Sequence, residues 1–362
     1  MRALIGRYRV TALTPTMGSL PGLVLRGALI VAAAALLAAG LAAAVHFSTD
    51  RKPFRVMAVG DIACDPAEPA FADGEGTSAG CRQKAVGQAI MSQDPDAFLA
   101  LGDLQYYDGT YEKFMQSYHP ALGALLPITR PIPGNHEYKT PGGEGFYRYF
   151  GAAAHRESGG TYSFDAGDWH VLAINSMHCT PSRPCGPGSP MADWIAADVA
   201  ASPSSCLMAM WHHPVWSAGA HGDYTPMAAV WNQLDSYGAD VVLTGHDHLY
   251  QRFKPVGQGS VGPDGSMVDP LAVESGITGF VLGTGGENNY KASGLDKPTM
   301  AAALAGVGTN PDPAVFGALR MDLRADGMDY AFVPAAGTTF TDSGSLTCRP
   351  KTPPTSPPSP AE

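Results

Sequence analysis

Basic residues are scarce in this chain: 23 Lys and Arg stand against 33 Asp and Glu, for a formal net charge of -10. That excludes a long basic groove for nucleic acid, because phosphate-backbone binding draws its affinity from clustered Lys and Arg. A small anionic substrate stays open, since bound metal ions can supply positive charge locally. No Cys-x-x-Cys pair occurs, which argues against a cysteine zinc site. No internal repeat is present, so a solenoid is excluded. Charged residues make up only 15% of the chain and apolar ones 45%, the balance of a globular protein able to bury a large core over 362 residues.

Residues 27–45 form an unbroken apolar, Ala-rich run, preceded by Arg2, Arg7, Arg9 and Arg26 with no acidic residue among them. This is the pattern of an export or anchoring signal, with residues 1–50 as a cytoplasmic leader plus signal peptide or signal anchor. The Ala42 to Ala44 neighbourhood offers a cleavage site. The long leader and near-spanning length favour an uncleaved anchor, which would tie an extracytoplasmic protein to the membrane; cleavage would leave it secreted. Six cysteines, an even number, agree with an oxidising destination. Proximity along the chain suggests Cys64 with Cys81 and Cys179 with Cys185, leaving Cys206 for Cys348, one of fifteen connectivities.

From Phe54 onward, short Val, Ile, Leu and Ala runs alternate with helical patterns, the rhythm of an α/β protein whose chemistry sits at strand ends. Residues 55–60, 97–102, 129–133, 206–211 and 240–245 read as buried strands, and 82–92, 111–126, 191–200 and 225–237 as helices. Later runs at 161–164, 169–175, 279–283 and 316–330 read as strands of a second sheet. The catalytic domain is expected over 51–348, and the Pro, Ser and Thr tail at 349–362 reads as disordered.

Five short blocks carry the chemistry: GDIACD at Gly60, GDLQYYDG at Gly102, GNHE at Gly134, HHPVW at His212 and GHDH at Gly245. Together they hold the carboxylates, amide oxygen and imidazoles that a pair of first-row ions requires. Four of them immediately follow a predicted strand, which fixes the direction of the next side chain, and a Gly beforehand lets the backbone turn tightly. A lone Gly-Asp after a strand is usually a turn, and a His pair two apart can be incidental. All five in order make coincidence a poor account.

On these blocks the chain resembles a calcineurin-like metallophosphoesterase, and within that superfamily the purple acid phosphatases. Many superfamily members carry Asp-x-His in the first block, whereas here Ile62 and Ala63 follow Asp61. The purple acid phosphatase pattern has instead a Tyr three residues after the second Asp, and Tyr106 stands there. The resemblance implies a four-layer αββα sandwich, two mixed sheets flanked by helices, with a dinuclear metal site on loops at strand ends. It implies one metal held by Asp61, Asp103, Tyr106 and His248, and another by Asp103, Asn135, His212 and His246, with Asp103 bridging. A phenolate ligand suits Fe3+, paired with Fe2+, Zn2+ or Mn2+. His136 and His221 are the candidates for contact with substrate, as acids toward a phosphate oxygen or leaving group. His213 and His170 are expected to be structural. The segment GTGGENNY at Gly283 resembles the family's late Gly-rich turn, which implies a structural role near the site; it lacks the Lys and Ser/Thr of a phosphate-binding P-loop. Plant members carry an extra N-terminal domain, so the small single-domain type is the expected analogue. The implied function is a phosphomonoesterase acting on small phosphate esters. A phosphodiesterase acting on nucleotides or lipid headgroups, and a non-catalytic surface-binding protein, are the alternatives.

Overall fold

The computed structural model describes residues 52–257, 270–296, 298–308 and 314–352. In chain order the strands are β1 (Phe54–Val59), β2 (Ala97–Leu101), β3 (Thr129–Ile132), β4 (Tyr162–Ala166), β5 (Trp169–Ala173), β6 (Cys206–Met210) and β7 (Val241–Thr244). They continue with β8 (Tyr250–Phe253), β9 (Thr278–Leu282), β10 (Leu304–Gly308), β11 (Gly317–Arg324), β12 (Gly327–Pro334) and β13 (Ser343–Thr347). Helices α1 (Gln83–Met91), α2 (Glu144–Phe150), α3 (Pro190–Ala201) and α4 (Ala228–Ser236) supply most of the outer layers.

Two mixed sheets result, in the orders β13-β12-β11-β1-β2-β3 and β10-β8-β9-β7-β6-β5-β4. Strand sequences such as VMAV, AFLAL and CLMAM are apolar at every position because both faces of each strand are covered. Alternate side chains divide between layers. Val56, Ala58, Leu99 and Leu101 join Met208, Met210, Leu243 and Phe280 in the core between the sheets. Met57, Val59, Phe98 and Ala100 turn the other way, toward Val86 and Ile90 of α1 and toward Phe114 and Phe146. On the far side, Leu207 and Ala209 meet Ile195 and Val199 of α3 and Val230 and Leu234 of α4. This is the expected four-layer αββα sandwich.

The division of strands between sheets differs from the sequence expectation. The 316–330 run forms the hairpin β11–β12, and it joins the first sheet through antiparallel pairing of β11 with β1, Phe54 opposite Leu323. Strands β6 and β7 belong instead to the second sheet, parallel to β5 and β9. An apolar strand buried on both faces carries no mark of which sheet it enters. The helix expected over 111–126 is broken into an α-turn at Tyr111–Lys113, a π-turn at Phe114–Tyr118, an α-turn at His119–Leu122 and a 3-10 stretch at Gly123–Ile128. Pro120 has no N–H to give to the preceding turn, and Pro127 interrupts again.

The three disulfides are Cys64–Cys81, Cys179–Cys185 and Cys206–Cys348. The last closes a loop of 142 residues, which removes about 5 kcal/mol of unfolded-chain entropy in the loop-closure picture. Beyond it the chain stays attached: Arg349 donates to Asp235, and Lys351 to the carbonyls of Ser202 and Ser204. The first residues of the expected tail, 349–352, therefore belong to the folded body; the rest, like the apolar segment 27–45, lies outside the described residues. No described helix is long and apolar enough to cross a membrane.

Candidate metal centre

Five strands hand the chain to the five polar blocks: β1 to Asp61, β2 to Asp103, β3 to Asn135, β6 to His212 and β7 to His246. The blocks are tied by backbone bonds, Asp61 N–H donating to Gly102 O at 3.1 Å and Gly245 N–H to His212 O at 2.9 Å. Asp61, Asp103 and His246 hold left-handed backbone, with φ of 60°, 48° and 72°. That conformation costs an L-residue roughly 1–2 kcal/mol and persists where the surroundings over-determine it, as at functional sites. Gly134 is required on close approach: a Cβ there would strike the Asp103 carboxylate and the His212 ring.

The expected ligands converge in two sets. In the first, the Tyr106 hydroxyl lies 3.0 Å from Asp61 Oδ1, 3.3 Å from Asp103 Oδ2 and 2.8 Å from His248 Nε2. In the second, His212 Nε2 lies 3.2 Å from Asp103 Oδ2, 3.3 Å from Asn135 Oδ1 and 3.3 Å from His246 Nδ1. The two sets meet at Asp103. The ring orientations are fixed from behind: His212 Nδ1 bonds to Leu101 O at 2.9 Å, and His248 Nδ1 to Asn288 Oδ1. With Nδ1–H donated there, each Nε2 points at the centre and is the atom a cation would take in place of a proton.

These donors fit a pair of cations better than they fit one another. The Tyr106 hydroxyl meets two carboxylates and the Nε2 of His248, and His212 and His246 turn nitrogens toward each other. Separations near 3 Å are those of neighbouring ligands around an ion with bonds of about 2.0–2.2 Å. The electrostatics agree. Burial, with Asp61 and Asp103 beside it, pushes the Tyr106 phenol well above its ordinary value. Burial disfavours a charged Asp103, yet the adjacent His212 imidazole holds it well below the usual carboxylate range. Burial opposes protonation of His212, but Asp103 raises it to about 9. Burial and then the imidazoles of His212 and His213 press His246 far down. A cation would relieve these conflicts together.

The candidate substrate-contacting residues flank this centre. His221 is exposed, its ring stacked on His246 at 4.4 Å, and its N–H donates to the buried Asp247 at 2.9 Å. His136 sits over Tyr106 at 4.2 Å between ring centres, its N–H on Asp103 Oδ1 at 2.8 Å and its Nδ1 on Tyr107 O. Burial lowers the His136 imidazole, with Lys139 adding to the effect against Asp103, so an acid role suits it less than the sequence suggests. His213 packs behind the ligands, Nδ1 on Ser176 Oγ at 2.8 Å, its ring 4.5 Å from that of His246. His170 lies elsewhere, between Asp165 and Asp198.

Sequence reasoning passed over Glu137 as a support, and it expected a structural role near the site for the GTGGENNY segment without naming its residues. Glu137, fully buried in the GNHE block, accepts from the N–H groups of Asp103, Leu104, Gln105 and Gly134 at 2.7–3.2 Å. It thereby welds the second block to the third. From the GTGGENNY segment, Asn288 holds His248 and the Tyr290 ring stacks on it at 4.2 Å. An acidic residue buried beside ligands, or a polar pair after a Gly-Gly turn, is the available signal, and both are common in ordinary loops.

With this geometry in place, the relatives are informative. The Calcineurin-like phosphoesterase family matches residues 54–250, over half of the chain, and the protein belongs to that family. Among individual relatives, purple acid phosphatase 21 of Arabidopsis thaliana is 30% identical over 227 residues, covering 58% of this chain and 48% of its own. Purple acid phosphatase 22 of the same plant is 30% identical over 233 residues, with the same coverages. The chain thus spans about half the length of the curated relatives it matches. Among solved structures, purple acid phosphatase PPD1 from yellow lupin (Lupinus luteus) seeds superposes with a TM-score of 0.62 at 15% identity, over 81% of this chain and 53% of that one. GAP50 of the Plasmodium inner membrane complex shares the fold at a TM-score of 0.53 and 12% identity, over 83% of this chain and 90% of its own.

Proposed function

We propose that this chain is a metal-dependent hydrolase of phosphate monoesters whose reaction centre is the pair of donor sets sharing Asp103. The observation that carries the reading is the buried Tyr106 hydroxyl, enclosed by Asp61, Asp103 and His248 within 2.8–3.3 Å. We assign Asp61, Asp103, Tyr106 and His248 to one cation and Asp103, Asn135, His212 and His246 to the other. Bound there, two cations would clamp phosphate oxygens and lower the pKa of water from about 15.7 toward 7. The phenol donor suits Fe3+, and the N and O donors of the other set suit Fe2+, Zn2+ or Mn2+.

The chain's own residues do the positioning. Leu101 O and Asn288 hold His212 and His248 in the tautomer that leaves Nε2 free. Glu137 fixes the backbone of Asp103 and the Gly134 turn. His221, on the open side of His246, is placed to give a proton to a leaving oxygen. His136 has its Nδ1 engaged by Tyr107 O and Nε2 toward Asp103, which makes it a positioning residue. A monoester brings more negative charge to such a centre than a diester, and an acidic chain offers little else to hold a long polyanion. The three disulfides support an extracytoplasmic setting.

The test compares kcat/KM of the metal-loaded protein on a monoester and a diester sharing one leaving group. A higher value for the monoester is expected. A higher value for the diester gives the protein to the phosphodiesterases, and no turnover of either gives it to the non-catalytic binders.

A further inference from the structure

We propose that Lys139 is a specificity-determining cation at the rim of the centre, selecting phosphate esters or anhydrides whose leaving group carries a second anionic group. This deepens the phosphoesterase reading and rests on it. Lys139 Nζ lies 3.1 and 3.2 Å from the two ring nitrogens of His136 and 5.6 Å from the centre of the Tyr107 ring. His136 Nε2 is 3.9 Å from Asp103 Oδ2. The ammonium is therefore no more than about 7 Å from the carboxylate that the two donor sets share.

Position, charge and access each single this lysine out. It ends the short 3-10 turn Glu137–Lys139, and Glu137 is pinned by four backbone N–H groups of the second and third blocks, so the turn cannot drift from the centre. Among the described residues no carboxylate pairs with it, whereas nearby Lys113 is neutralised by Asp65 at 2.7 Å and Asp108 at 2.9 Å. Lys139 is exposed, and its neighbour Tyr107 is 47% exposed, so a ligand can reach both.

The chemistry follows from placement. With a phosphoryl group at the centre, a leaving group that extends over His136 passes Lys139, while His221 meets the ester oxygen from the His246 side. A carboxylate or phosphate a few bonds beyond that oxygen comes within reach of Nζ, where a charge-assisted hydrogen bond is stronger than a neutral one. A neutral alcohol gains nothing there. In a chain of net charge -10, a cation without a carboxylate partner beside the centre biases which anions stay.

The experiment measures kcat/KM of the metal-loaded, full-length protein for ethyl phosphate, phosphoglycolate and inorganic pyrophosphate. Phosphoglycolate tests a second carboxylate and pyrophosphate a second phosphate. Wild type is expected to prefer at least one of the charged substrates over ethyl phosphate. Lys139→Ala is expected to cut that preference about tenfold, mainly through KM, as the loss of one charged hydrogen bond implies. Lys139→Arg should retain most of the preference, Lys139→Glu should abolish it, and added salt should shrink it in wild type. An unchanged preference ratio in Lys139→Ala, or no preference in wild type, overturns the proposal. Turnover of an aryl phosphate with none of the three hydrolysed overturns this proposal alone, whereas no turnover of any monoester overturns the monoesterase reading and this proposal with it.

Discussion

Two clusters of imidazole and carboxylate lie in this molecule, built from the same residue types to opposite ends. At His170 on β5, Nδ1 meets Asp165 at 2.8 Å and Nε2 meets Asp198 at 2.7 Å. Burial disfavours a charged His170, yet the two carboxylates raise its pKa; burial likewise opposes a charged Asp198, and His170 holds it low in return. Each ring nitrogen there has an anion, so a proton completes the cluster. Around Asp103 the nitrogens of His212 and His246 face each other, and a phenol faces two carboxylates and an imidazole nitrogen. Protons would complete that second set only as imidazolium charge buried at His212 and His248, whereas a pair of cations would complete it with the same atoms as ligands. The difference teaches that a count of His and Asp does not make a metal centre; what does is donor atoms aimed at a common point, with their other atoms already spent on the scaffold.

Breaking the comparison at its centre has the largest expected effect. Asp103→Asn removes the shared anion and should lower activity by about 10³-fold or more, with loss of bound metal. His246→Ala should come close to it in both assays. Next, if the first set holds Fe3+, the protein carries a visible phenolate charge-transfer band that Tyr106→Phe abolishes; a band persisting in the variant would rule out Tyr106 as its ligand. His221→Ala is expected to slow esters of poor leaving groups by about 10²-fold while sparing activated aryl phosphates. An equal loss on both would make His221 a phosphate-binding residue and not an acid.

His170→Ala sharpens the other side. It should leave turnover within a few-fold and cost about 1–3 kcal/mol of stability, measured by denaturant unfolding, because it strips a hydrogen-bonded charge from between two carboxylates. The sign with pH is definite. A raised folded pKa means the His170 contribution is complete below the unfolded value near 6.5 and fades as pH climbs through the raised value. Asp198, held low, contributes above the unfolded value near 3.9 and fades as pH falls through its lowered one. The destabilisation by His170→Ala should accordingly be greatest between about pH 4 and 6.5 and shrink in alkali. A penalty that grew toward alkaline pH would contradict the ion-pair account.

The convergence of the expected donors had a local signal in the sequence, because Asp61, Asp103, Asn135 and His246 each follow a Gly at a strand end and His212 follows β6 directly. Asp61, Asp103 and His246 could be placed for that reason, and their left-handed backbone is the structural face of the same signal. The supports were less visible. Asn288 and Tyr290 reach His248 from a loop some forty residues downstream, and nothing local marks a polar side chain for so distant a partner. Glu137 was in view within GNHE, but its role depends on four N–H groups, three of them in another block. The sheet of the β11–β12 hairpin was illegible because pairing with β1 is a long-range event between two apolar strands.

The central claim is that two cations share Asp103, and elemental analysis of the purified protein against its Asp103→Asn variant tests it most directly. The account predicts close to two metal ions per chain in the parent and a clear loss in the variant, with activity falling in parallel. Full activity in a parent stripped of metal by a chelator, or an unchanged metal content in Asp103→Asn, would contradict it.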